Sequence, residues 1–350
     1  MRVAILTDTH WGARGESRTF LNYFERFYTE TFFPYLDRWG IDTVYHLGDL
    51  VDRRKYTSYV TIQCMRTAFL DRLGDRRLVI IPGNHDAFFK TSLEVNAVRE
   101  LLGTRDNITI ADEPRFVNDG ILMLPWICPA NEIQSTEAIT KARNNSRPII
   151  MGHLELKGFQ TQRGQIMENG MDPTLFSGFP LVLSGHYHHR NSLNNIHYLG
   201  CPYEITWADA NDPKGFHIFD TDTLELEFIP NPLRMHERLE FDDREKMEID
   251  FADYHDKIVK VAVIHRDDSG RRFDAFMRQM ENAGPTTIQV IDDNLVKVAA
   301  DDGRQQPGNL QDTLDILLTS VVNDVTDSVD KDRLRELLAG LYQEAERVQK

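Results

Sequence analysis

Five times along this chain a short apolar run stops at an Asp, an Asn or a His, and four of the five stops carry a glycine at the bend. Val3-Ala4-Ile5-Leu6 leads to Asp8 and His10. Val44-Tyr45-His46-Leu47 leads to Gly48-Asp49 and, three residues on, Asp52. Leu78-Val79-Ile80-Ile81 leads through Pro82 to Gly83-Asn84-His85-Asp86. Ile149-Ile150-Met151 leads to Gly152-His153, and Leu181-Val182-Leu183-Ser184 to Gly185-His186-Tyr187-His188. Short apolar runs bounded by turn residues read as buried strands, and glycine lets the backbone turn sharply at their ends. Between the first three strands the spacing is helical, so the order reads β-α-β-α-β. Such sheets gather their ligands at the carboxyl ends of the strands.

The intervening segments fill in this frame. Phe20, Phe24, Phe27, Phe32 and Leu36 fall at helical spacing and predict a helix over 20–39 with Gly40 as its C-cap. Further helices are expected at 57–73 and at 91–102, the second closed by Gly103. Runs at 196–199, 215–219 and 224–229 read as an antiparallel meander. Pro230-Asn231-Pro232 marks a boundary, which places a first domain at 1–232. A strand at 258–264, a helix at 271–282 and a strand at 287–291 make a small α/β unit, the domain 233–299. The polar stretch 300–309 has linker composition. Two amphipathic helices follow within 310–350, with Leu310, Leu314, Leu317, Leu318 and Val321 on one and Leu334, Leu337, Leu338 and Leu341 on the other.

Composition removes several classes. No apolar run approaches the roughly 18 residues that a membrane-spanning helix needs. The N-terminal run is short and reads as a strand, not a signal peptide. The three cysteines, Cys64, Cys128 and Cys201, lack metal or disulfide spacing, and a reducing cytoplasm is expected. The net charge of −15 excludes a broad basic face, and most of it falls in residues 235–350. A nucleic-acid substrate would therefore be held by local cations and by metal ions. Arg14, Arg18, Arg53, Arg54, Lys55 and Lys90 are the candidate phosphate contacts.

Asp, Asn and His side chains are ligands for Mn, Fe, Zn or Mg. Singly, each of these tips is an ordinary turn. Together, each closing a strand, they predict a metal centre. The set holds more ligands than one ion needs. Two ions about 3.5–4 Å apart, bridged by one carboxylate, would use them.

Asp8-x-His10, Gly48-Asp49-x-x-Asp52, Gly83-Asn84-His85-Asp86, Gly152-His153 and Gly185-His186-x-His188 resemble the motifs of the calcineurin-like metallophosphoesterase superfamily. Gly152-His153-Leu154-Glu155-Leu156-Lys157-Gly158-Phe159, Gly200-Cys201-Pro202-Tyr203 and Asp212-Pro213-Lys214-Gly215-Phe216 narrow the resemblance. They are similar to the SbcD-type DNA-repair nucleases, and among these to the recombination endonuclease subunits of T4-like phages. The resemblance implies a four-layer α/β/β/α sandwich with a small α/β cap and a C-terminal helical pair. It implies Asp8, His10 and His188 on one metal, Asn84, His153 and His186 on the other, and Asp49 between them. Two Mn2+ ions are the implied cofactors, with Mg2+ as a substitute. His85 is implied as the catalytic acid, and Asp52 is expected to accept a hydrogen bond from it. The implied function is a two-metal DNA exonuclease/endonuclease subunit of an SbcCD-like recombination and repair complex. Its partners would be DNA, a coiled-coil ATPase bound by the C-terminal helices, and a second copy of the chain. The second copy would meet the helices near 57–73 and 91–102 through Val60, Cys64, Phe69, Val95 and Val98. A phosphoesterase for small nucleotides or phosphoproteins, and a non-catalytic DNA-binding scaffold, are the competing readings. The expected setting is cytoplasmic, that of a bacterial host if the chain is phage-encoded.

Overall fold

The computed structural model describes residues 1–292 except 118–119, 145–147, 163–164, 246 and 268. The linker at 300–309 and the helices expected within 310–350 lie outside the described residues.

Strands β1 (Arg2–Leu6), β2 (Thr43–His46), β3 (Arg77–Ile80) and β4 (Ile108–Ile110) run parallel, side by side in chain order. A second sheet is built from β5 (Arg115–Val117), β6 (Ile121–Leu124), β7 (Ile149–His153), β10 (Leu181–Gly185), β11 (Asn191–Leu193) and β12 (Ile196–Tyr198), in the order β11-β12-β10-β7-β6-β5. Its centre is parallel and both edges are antiparallel. A small hairpin, β8 (Gln160–Gln162) and β9 (Gln165–Ile166), lies between β7 and β10 in sequence. The first sheet is completed by β13 (Gly215–Asp220) and β14 (Leu226–Pro230), with β13 antiparallel to β1.

The alternation of side chains along each strand sorts the apolar residues into three layers. Val3, Ile5, Tyr45, Leu47 and Val79 of the first sheet meet Ile121, Met123, Ile149, Met151 and Leu183 of the second. Ala4, Leu6, Val44, Leu78 and Ile80 face the opposite way, onto the helices of the first sheet. Leu122, Leu124, Ile150 and Val182 pack against Ile139 and Ala142 of helix Glu132–Ala142 on the far side. The arrangement is the expected α/β/β/α sandwich.

The helix predicted at 20–39 forms, but not uniformly. Arg18–Arg26 and Phe33–Trp39 are α-helical, and Phe27–Phe32 between them is a π-helical stretch. A second π-helical stretch, Arg66–Leu70, extends helix Tyr59–Met65. The two wide stretches pack together through Tyr28 and Phe69, whose ring centroids lie 5.1 Å apart. Gly40 caps the first helix in the left-handed region at φ 62. The helix expected at 91–102 is shorter than its periodicity implied. Only Ala97–Leu102 is helical, because the Asn96 side chain accepts the Arg99 N–H and starts the helix there.

The meander is corrected. β12 belongs to the second sheet, parallel to β10, whereas β13 and β14 form a hairpin in the first. Period-two spacing identifies a strand but not its neighbour.

The described chain divides into two compact units. The first comprises Met1–Leu239, Glu248–Val261 and Arg271–Gln289. The second includes Glu240–Met247, Ala262–Gly270 and the described residues from Val290 on. Strands β15 (His236–Asp242), β16 (Ile258–His265) and β17 (Thr287–Asp292) form a three-stranded sheet in that order, with helix Arg271–Asn282 between the last two in sequence. No helix among the described residues is long and apolar enough to cross a membrane.

The aromatic cluster under the first sheet gives a test of the core. Phe27 is fully buried and meets Tyr28, Phe32, Tyr203 and Phe216 ring to ring. Phe27→Ala is expected to lower unfolding stability by about 3–5 kcal/mol, measured as a shift of the urea midpoint at unchanged slope.

Candidate metal centre

Parallel pairing brings the carboxyl ends of β1, β2 and β3 to one edge, and β7 and β10 deliver theirs in register, Gly185 opposite His153. The loops beyond the first two strands are stitched by main-chain bonds: Asp8 N–H to Gly48 O at 3.0 Å and His10 N–H to Asp49 O at 3.1 Å. The two sheets meet through His153, whose Nδ1 donates to the Leu47 carbonyl at 2.8 Å. Backbone strain concentrates here. Asp8, His10, Asp49 and His186 have φ of 52, 42, 55 and 94, in the left-handed region that side-chain-bearing residues seldom enter.

Nitrogen and oxygen acceptors converge in two groups. Asp8, His10 and His188 each offer an atom within 4.8 Å of the others, as do Asp49, His153 and His186. Nε2 of His10 and Nε2 of His188 face each other at 2.9 Å. Asn84 Oδ1 lies 3.0 Å from His153 Nε2 and 2.9 Å from His186 Nδ1. Asp49 Oδ2 stands 3.6 Å from His10 Nε2 and 3.4 Å from His153 Nε2, between the two groups. All seven residues expected as ligands are therefore assembled in one place.

The electrostatics fit a cation. Asp8 and Asp49 are almost wholly buried. Burial pushes Asp8 up, against the pull of His153 and His188. Burial would raise Asp49 as well, but the neighbouring imidazoles, His153 foremost, hold it well below the usual carboxylate range. Burial lowers His10 and His186, the latter to about 3, and the adjacent imidazoles deepen both shifts. Burial acts on His153 in the same sense, yet Asp49 and Asp8 outweigh it and push it up to about 9. The Nδ1 hydrogen of His153 is committed to Leu47, so Nε2 is the ring atom turned toward Asn84 and Asp49. Facing imidazole nitrogens and clustered carboxylate oxygens are what a divalent ion satisfies.

The residues around the centre divide clearly. His85 Nδ1 donates to the main-chain carbonyl of Asp52 at 2.6 Å, and its N–H donates to Asp49 Oδ1 at 2.7 Å. This corrects the expected bond from His85 to the Asp52 carboxylate. The turn after Asp49 aims the Asp52 carbonyl at His85, and the carboxylate lies instead 3.6 Å from His10 Nδ1. Asp86, whose motif assigns it no ligand role, braces the turns. Its carboxylate accepts from the N–H groups of Leu50 at 3.2 Å, Val51 at 3.1 Å and Gly83 at 2.8 Å. Burial and the Asp49 charge push it up to about 7 in spite of these donors. His46 is buried, bonded to Thr9 Oγ1 at 2.9 Å, and His189 to Asp212 at 2.9 Å, so both have structural partners. Arg14 and Lys90 are exposed, and the half-buried Arg53 is tied to the Tyr56 hydroxyl at 2.6 Å. Sequence reasoning overlooked Lys214, a buried ammonium bonded to the His188 carbonyl at 2.7 Å. Its signal was the lone cation in Asp212-Pro213-Lys214-Gly215.

A model of the calcineurin-like phosphoesterase family matches residues 1–190. The chain belongs to that family. Membership brings phosphoester hydrolysis and divalent metal ions, which the assembled donors accommodate. Exonuclease subunit 1 of Enterobacteria phage T4 is 31% identical over 311 residues, 87% of this chain and 88% of the phage protein. An SbcCD nuclease subunit from Staphylococcus epidermidis is 32% identical over 110 residues, 28% of this chain and 29% of that protein. Among solved structures, an archaeal phosphodiesterase at 14% identity covers 66% of this chain and 100% of its own, with a TM-score of 0.34.

Within this phosphoesterase Gly83 tolerates no added bulk, since a Cβ there would collide with the Asp49 main chain and carboxylate. Gly83→Ala is expected to cut metal-dependent phosphodiester hydrolysis about 100-fold by displacing Asp49. Circular dichroism and steady-state kinetics on the same preparation check this.

Proposed function

We propose that the chain is the nuclease subunit of a two-metal DNA exonuclease/endonuclease complex that acts in recombination and repair. The observation that carries the reading is the place of Asp49 Oδ2, 3.6 and 3.4 Å from imidazole nitrogens of two separate donor groups. A relative that spans 87% of this chain and is named as an exonuclease subunit supports the substrate class. Asp8, His10 and His188 would hold one Mn2+, and Asn84, His153 and His186 the other, with Asp49 placed to serve both. Mg2+ is an alternative ion. Two such ions, when bound, polarise a phosphoryl oxygen and make water a nucleophile near neutral pH.

The rest follows from the chain's own groups. A carbonyl oxygen only accepts, so the hydrogen on His85 Nδ1 is fixed by Asp52 O. His85 Nε2 is then the atom that exchanges a proton with the leaving oxygen. Asp52 acts through its main chain, which Asp52→Asn would preserve. Arg53, Arg14 and Lys90 contact the DNA phosphates.

The subunit works in the cytoplasm with an SbcC-type coiled-coil ATPase, bound by residues 310–350, and with a second copy of itself. Among the residues expected at the dimer face, Val60 and Val95 are exposed beside Tyr59 and Phe88 and support that contact. Phe69 and Val98 are withdrawn from the face, because both are fully buried in the core beneath the first sheet.

The decisive assay follows 3′-recessed duplex DNA with Mn2+, with and without the ATPase subunit. His85→Gln is expected to lower cleavage about 10²–10⁴-fold with Mn2+ binding unchanged. Cleavage of small phosphodiesters but not of DNA would favour the nucleotide phosphoesterase, and DNA binding without cleavage the scaffold. A separate outcome concerns assembly: Val60→Glu is expected to convert a dimer to a monomer in sedimentation velocity, and a wild-type chain monomeric at micromolar concentration would refute the dimer.

A further inference from the structure

Outside the ring of imidazoles and carboxylates, Lys214 is a buried charge with no assigned part. It immediately precedes β13 and is only 4% exposed. An ammonium withdrawn this far from water is costly unless all three of its donors are met. They are met by Asp209 Oδ1 at 2.8 Å, by Asp212 Oδ2 at 2.8 Å and by the main-chain carbonyl of His188 at 2.7 Å. Two of the donors meet carboxylates, and the third goes to the backbone of a candidate ligand.

The surroundings reinforce that bond. Asp212 Oδ1 also takes His189 Nδ1 at 2.9 Å, so residues 188 and 189 are gripped by one unit. Asp209 is anchored in turn by the N–H groups of Ile205 at 3.0 Å and Thr206 at 2.8 Å, and it lies within 4.8 Å of a ring nitrogen of His188. β10 ends at Gly185 and His186 turns into the left-handed region, so His188 stands beyond the last ladder pair. The direction of its imidazole therefore comes from loop contacts: on its carbonyl the Lys214 ammonium at 2.7 Å and the Cys201 N–H at 3.3 Å, and near its ring the Asp209 carboxylate that Lys214 pins.

We propose that Lys214 is a positioning residue for the metal centre: pinned by Asp209 and Asp212, it fixes the His188 carbonyl and so aims that imidazole at the ion shared with Asp8 and His10. The inference rests on the metal-centre reading above and deepens it. Groups that orient ligands from behind change metal affinity by about 10–100-fold when removed. A lysine that merely closed the loop would leave affinity untouched.

The test uses the full chain with Mn2+ as the probe, titrated calorimetrically into wild type, Lys214→Met, Lys214→Arg and His188→Ala. Wild type is expected to take two equivalents, and His188→Ala to lose tight binding of one. Lys214→Met is expected to weaken that same equivalent about 10–100-fold and to spare the other. Lys214→Arg, which keeps the charge, shows the same one-sided loss in milder form. Thermal melts with and without Mn2+ extend the test to a destabilised variant, since the gain in Tm on adding the ion falls as affinity falls. Equal losses of Tm with and without Mn2+ would mark a purely structural lysine and overturn the proposal. A wild type that binds no Mn2+, or a His188→Ala that binds like wild type, would overturn the centre itself and the proposal with it.

Discussion

Three carboxylates, Asp8, Asp49 and Asp86, are buried to 1% exposure or less at the ends of three adjacent parallel strands. Concentrated negative charge in a water-poor place is the constraint to which the rest of the molecule answers. Each carboxylate is used as a cross-link. Asp8 takes the His186 N–H, Asp49 takes the His85 N–H, and Asp86 takes three N–H groups from two turns. The acids therefore hold the loops that carry the imidazoles, and the imidazoles, His153 foremost, hold Asp49 ionised.

The apolar layer between the sheets makes this possible. Ile5, Tyr45 and Leu47 on one side and Met151 and Leu183 on the other bring two strand edges close. At Gly185 a Cβ would meet Thr7 Oγ1, the Leu47 carbonyl and Asp8. Sheet packing and site geometry are one problem here, since the donors from the second sheet reach those of the first only at full closure.

Much of this was legible in the sequence because strand ends are punctuated. Apolar runs, glycine and a polar tip occur together at Asp49, Asn84, His153 and His186, and the parallel order brings the tips together. What stayed hidden depends on partners distant in sequence. Nothing near Asp86 shows that its acceptors face Leu50 and Val51. Nothing near Asp52 shows that its carbonyl, not its carboxylate, meets His85. Lys214 reads as an ordinary charge until the fold lays it beside His188. The π-helical stretch at Phe27–Phe32 is equally silent, because an aromatic run at nearly helical spacing fits either width of helix. Phe69 and Val98 read as a possible outer face because helical spacing reports a buried stripe without saying what covers it.

The strand that carries Asp8 and His10 has its second neighbour far along the chain. Residues 2–5 of β1 pair with residues 217–220 of β13. At about 5–20 residues per second, a ribosome needs on the order of 10–40 s to bring out that partner. Through that interval one edge of β1 has no strand beside it, a condition that invites pairing with other chains. A nascent chain arrested before residue 215 contains every candidate ligand and still lacks the strand that closes this edge.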